Sequence, residues 1–160
     1  MTGSDVLLAG LAFAVAILLA RGSHPVVAAL LIASALAVSA VLFLPTKVLG
    51  GWFGMDRVHR LYGLTRGTPL DPPEWIHLVA FAWLGFLIWL ARRHARNWRG
   101  ALIVAALGIA AETSQWLTDG RQPKLEDAAL NVMGGLAGVL LAWMWCAVAR
   151  RITRRGTGST

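Results

Sequence analysis

Residues 25–44 read PVVAALLIASALAVSAVLFL, a stretch with no charge and with two serines as its only polar side chains. An α-helix rises about 1.5 Å per residue, so these positions cover about 30 Å, the thickness of a bilayer's hydrocarbon core. Pro25 suits a first helical turn, where its missing N–H costs little, and Pro45 follows as a stop. The stretch is apolar all round, with no polar face to turn to water.

Similar blocks lie on both sides. One precedes it at 5–20 and is closed by Arg21-Gly22-Ser23-His24. Three follow, at 75–91, 100–117 and 128–149. Each approaches the roughly 17–25 residues that span hydrocarbon. The expected fold is therefore all-α, a membrane bundle of about five transmembrane helices. It forms one domain over 1–149, followed by a basic tail, 150–160, expected to be disordered. Composition agrees, because 57% hydrophobic and 14% charged residues leave too little charge to cover a soluble domain.

A net charge of +7 raises nucleic acid as a partner. The placement of the charge argues for lipid instead, since the basic residues form short clusters beside apolar blocks. Arg92, Arg93, Arg96 and Arg99 share a membrane side with Arg21 and with Arg150, Arg151, Arg154 and Arg155 only if the chain crosses five times. By the positive-inside rule that side is cytoplasmic, with the N-terminus outside. The expected location is the cell membrane, multi-pass, with the lipid bilayer as partner and no nucleic acid. Met1 to Asp5 carry no basic residue, so the first block is expected to be a retained helix. The single cysteine, Cys146, excludes an internal disulfide and a cysteine-based zinc site.

The link at 45–74 is external in this topology. Trp52, Met55, Val58, His59 and Tyr62 fall on one helical face there, which suits an interfacial helix; an ordinary polar loop is the alternative. Residues 68–73 are expected to be extended or turned, since a proline biases its predecessor away from helix.

Charged and amide groups are costly inside a membrane and turn toward protein or water. Gly108, Glu112 and Gln115 form an i, i+4, i+7 stripe near the outer end of the fourth block. Asp127 and Asn131 are one turn apart at the outer end of the fifth. Gly134, Gly135 and Gly138 continue that face as helix-packing positions, and the 108/112/115 stripe is their expected partner. Arg121 lies in the intervening link, within reach of Glu112 or Asp127, while Glu74 and His77 open the third block on the same side. The ligand-binding candidates are thus Glu74, His77, Glu112, Gln115, Arg121, Asp127 and Asn131, gathered in one outward-facing pocket. The alternative is that these groups only tie helices together, at about 0.6–2 kcal/mol each.

The segment Glu112-Thr113-Ser114-Gln115, followed by Arg121, Asp127, Asn131, Gly134-Gly135 and Gly138, resembles the most specific stretch of the VanZ-like family. Residues 74–81, EWIHLVAF, resemble that family's acidic-Lys-x-x-His-x-x-x-Phe/Tyr element, with Glu74 where Asp is usual and Trp75 where Lys is usual. The resemblance is strongest over about 44–143. It implies a small multispanning membrane protein of a family in which some members are linked to reduced susceptibility to teicoplanin or related lipoglycopeptides. It implies no particular reaction.

Three functions fit. The first is envelope protection through a pocket that binds a cell-wall precursor or lipid-linked ligand, with Arg121 pairing with a phosphate or carboxylate. The second is an enzyme on such a substrate, with Glu112 or His77 as general base. Against it, Ser114 lacks the G-x-S-x-G setting of a nucleophile. The third is a scaffold or partner subunit. No cofactor is expected. No metal is expected either: a metal form would use His77, Glu112 and Asp127, but no H-E-x-x-H spacing supports it. A transporter is disfavoured because the polar groups do not reach the cytoplasmic half.

Overall fold

The computed structural model describes residues 3–43, 51, 54, 56, 60, 63, 65, 67–92, 98–115 and 124–156. These form five helices and, among the described residues, no strand. They are α1 (Gly3–Ala20), α2 (Pro25–Phe43), α3 (Pro72–Ala91), α4 (Trp98–Ser114) and α5 (Leu125–Gly156). Two segments, Pro72–Ala91 and Leu125–Arg151, are long and apolar enough to cross a membrane; Leu7–Ala20 and Pro25–Val41 are shorter apolar segments.

Local chemistry sets the helix ends. After α1, Gly22 takes a φ of 76°, open to a residue without Cβ, while the Ser23 amide and hydroxyl both donate to the Ala20 carbonyl. Pro25 then opens α2 as its spacing predicts. α3 begins at Pro72, earlier than the expected 75, so the extended reading of 68–73 is corrected at its end. Pro72 and Pro73 occupy the first helical positions, where a fixed φ is an advantage and no N–H is required. Asp71 precedes them, and its amide donates to Glu74 Oε2 at 2.7 Å. α5 runs to Gly156, into the segment expected to be disordered, while residues 157–160 lie outside the described residues. Arg and Ile sustain the helix through 155, and the first glycine beyond 149 is Gly156 itself. The apolar face proposed for the 45–74 link, Trp52, Met55, Val58, His59 and Tyr62, lies outside the described residues.

α5 packs along both α3 and α4, α1 along α2, and α2 against α3. Glycines set the closest approach. A Cβ on Gly134 would land on the Leu78 carbonyl, one on Gly138 on the Ala82 carbonyl, and one on Gly85 on the Gly135 carbonyl. Gly134 and Gly138 therefore face α3, not α4 as expected. Gly135 meets α4 through Val104, and Gly108 of α4 meets Asn131 and Val132. At about 100° per residue the 127–138 stripe is wide enough to meet two neighbours, so α5 wedges between them.

The bundle's two ends differ in chemistry. At one end Ala20, Leu31, Leu87, Ile88, Ala91 and Val104 form an apolar core. There Arg92, just past α3, donates to the Leu18 and Leu19 carbonyls at the C-terminal end of α1, where a cation offsets the helix dipole. The opposite end holds the buried polar residues His77, Glu112, Gln115 and Asn131. Outer faces carry large apolar side chains, among them Leu11, Val26, Leu102, Leu140 and Trp145.

Candidate functional site

α4 and α5 run antiparallel, so residues one turn apart on each helix pair in reverse order. Gly108 therefore meets Asn131, and Glu112 meets Asp127 one turn further out. The absent Cβ at Gly108 brings Asn131 close, and Asn131 Nδ2 donates to the Gly108 carbonyl at 3.3 Å. That carbonyl has a second lone pair beyond the one its helix uses. Asn131 is fully buried.

His77 enters from α3, one turn after the Asp71–Glu74 cap. Its Nδ1 lies 2.9 Å from Asn131 Oδ1 in a buried contact. The Gly108 bond fixes the amide with its nitrogen toward α4, so its oxygen faces His77. An amide oxygen only accepts, and Nδ1 is therefore the donating, protonated nitrogen. His77 Nε2 points the other way, with Asp127 Oδ2 at 4.0 Å. Asp127 lies in the first turn of α5, where the helix N-terminus favours a negative charge.

Glu112 is buried at 3% exposure. Its Oε1 accepts the backbone N–H of Lys124 at 2.8 Å, and its Oε2 lies 3.5 Å from Gln115 Nε2. The first bond ties the end of α4 to the residue before α5. One ring nitrogen of His77 and one carboxylate oxygen each from Glu112 and Asp127 lie within 4.8 Å of one another.

Four of the seven ligand-binding candidates thus meet at one point: His77, Glu112, Asp127 and Asn131. Gln115 joins them through Glu112. Glu74 serves the start of α3 instead, its Oε2 taken by the Asp71 amide. Arg121 lies outside the described residues. The Ser114 hydroxyl donates to the Ala111 carbonyl of its own helix at 2.7 Å.

Sequence reasoning missed Gly85, whose closeness to Gly135 sets the α3–α5 separation. Its only signal was a lone glycine in an apolar block. Also missed were the apolar cavities beside the site. One of about 180 Å³ lies among α1, α2, α3 and α4, and is lined by residues including Leu11, Leu31, Phe81, Leu107 and Ser114. Another of about 140 Å³ reaches His77 itself, between Val38, Val41, Ile76 and Ala80.

The VanZ/LLP1 family model matches residues 6–146, most of the chain, and the chain belongs to that family. No curated protein and no solved structure gives a match.

Proposed function

We propose that this VanZ/LLP1 family member crosses the cell membrane five times and protects the cell envelope by binding a cell-wall or lipid-linked ligand. The ligand enters the polar site at the outer end of α3, α4 and α5. The observation that carries the reading is the inverted polarity of the bundle. His77, Glu112, Gln115 and Asn131 are buried while Leu7, Val26, Leu102, Leu125 and Leu140 are exposed, as lipid requires and water does not.

Charge supports the orientation. Arg21, Arg92, Arg99, Arg150 and Arg151 flank helix ends away from the site, and about 22 Å of helix separates His77 from Arg92. That end suits the cytoplasm, with the N-terminus outside and the site open to the outer leaflet. The cavities lined by Phe81, Ser114 and His77 suit the hydrocarbon part of a lipid-linked molecule, with its polar head at the carboxylates. Arg121 is proposed to pair with an anionic group of that head.

The test is a teicoplanin susceptibility assay in cells expressing Glu112→Gln, Arg121→Ala or Asp127→Asn at matched membrane levels. Protection is expected to fall to that of cells lacking the protein. If all three variants insert and protect like wild type, the site has no part in protection.

A further inference from the structure

His77 is held as a metal-binding imidazole is held. The Gly108 carbonyl orients Asn131, Asn131 Oδ1 accepts from Nδ1, and Nε2 is the nitrogen left to bind a ligand. The side chain is 9% exposed, and among the described residues Nε2 makes no hydrogen bond; Asp127 Oδ2, at 4.0 Å, is too far for one. Nε2 thus lies 4.0 Å from the Asp127 carboxylate, in a cluster where one donor atom each from His77, Glu112 and Asp127 lie within 4.8 Å of one another.

We propose that His77 Nε2, Glu112 and Asp127 bind one divalent cation of the Zn²⁺ or Mn²⁺ class. One imidazole with two carboxylates is a donor set for borderline to hard first-row ions, and the chain's lone cysteine is at position 146, outside the cluster. A bond length of about 2.0–2.2 Å at tetrahedral angles puts ligand atoms about 3.4 Å apart. Closing from 4.0 Å for the His77–Asp127 pair needs a shift of only about 0.6 Å. Charge favours the ion as well. A dication bound between two carboxylates offsets the charge of both. The remaining Glu112 oxygen contacts, to the Lys124 amide and Gln115, hold that carboxylate in place.

Three protein ligands leave a position open for an external oxygen, and the partly exposed Asp127 marks its side of entry. The expectation of no metal rested on local spacing. These ligands come from three helices, so no local motif could display them.

The test uses the full chain, purified in detergent without a histidine tag and stripped with chelator. Calorimetric titration with Zn²⁺ or Mn²⁺ alone, and metal analysis after dialysis, are expected to give one ion per chain. Asp127→Asn, isosteric and partly exposed, is expected to weaken binding at least tenfold while leaving the circular dichroism unchanged. Should His77→Gln fail to fold, pulsed electron paramagnetic resonance of wild type with Mn²⁺ supplies the same information, through a nitrogen coupling from one imidazole. No stoichiometric binding, affinity unchanged in Asp127→Asn, or no nitrogen coupling each overturns the proposal. None of these readouts involves envelope protection, so the cation site and the protective role fail separately.

Discussion

Asn131, one of the four candidates that meet, sits at the centre of the site and ties its helices together. It joins α4 to α3 by accepting from His77 and donating to Gly108, and it is completely buried. Asn131→Ala would leave the His77 Nδ1–H in a dry interior with no acceptor. Such a loss costs about 1–3 kcal/mol. The variant is expected to melt measurably lower in detergent, whereas Ser34→Ala, which removes only the partner of the exposed Trp83 indole, is expected to change stability by about 0.5 kcal/mol or less. Equal melting temperatures for the two variants would contradict the role given to Asn131. The polar residues themselves were legible in the sequence, because Glu112, Asp127, Asn131 and His77 interrupt or border apolar blocks. Which of them touch was less so. Spacing of i, i+4 relates residues on one helix, while Glu74 answers to the open amides of its own helix before any pocket.

At the level of helices, the close contact is between α3 and α5, through Gly134, Gly138 and Gly85. Added side-chain atoms at Gly138 meet the Ala82 backbone, which has no rotamer to yield. Gly138→Leu is expected to separate the helices and destabilise the protein by about 3 kcal/mol or more, against about 1 kcal/mol for Leu140→Ala on the exposed face of α5. Thermal unfolding followed by circular dichroism distinguishes the two; a similar small effect for both would contradict the packing. The glycine spacing announced a close approach, but not to which neighbour, since a broad stripe faces two helices at once. Helix ends followed the same division. Pro25 opens a helix as its spacing predicts, and Pro72 and Pro73 have the same licence, which an extended or turned reading of 68–73 leaves out. The segment after 149 is basic and then rich in Gly, Ser and Thr, yet the helix propensity of its first residues carries α5 to Gly156.

In the whole molecule, polar side chains are buried at one end of the bundle, large apolar ones are exposed around it, and arginines flank helix ends at the other. The Arg92 contacts to α1 put one end of α3 level with the end of α1, and the His77 and Glu112 contacts put the other end level with the start of α5. The all-helical class was legible because apolar length is a property of each segment alone. The proposed orientation opens the polar cluster to the outside of the cell and turns the arginine ends inward. The most direct measurement is labelling of single cysteines in intact cells with a membrane-impermeant maleimide, in a Cys146→Ser background. Lys124→Cys, beside Glu112, is expected to label without permeabilisation, and Arg151→Cys only after it. Labelling of Arg151→Cys in intact cells, with Lys124→Cys protected until the membrane is opened, would contradict the account.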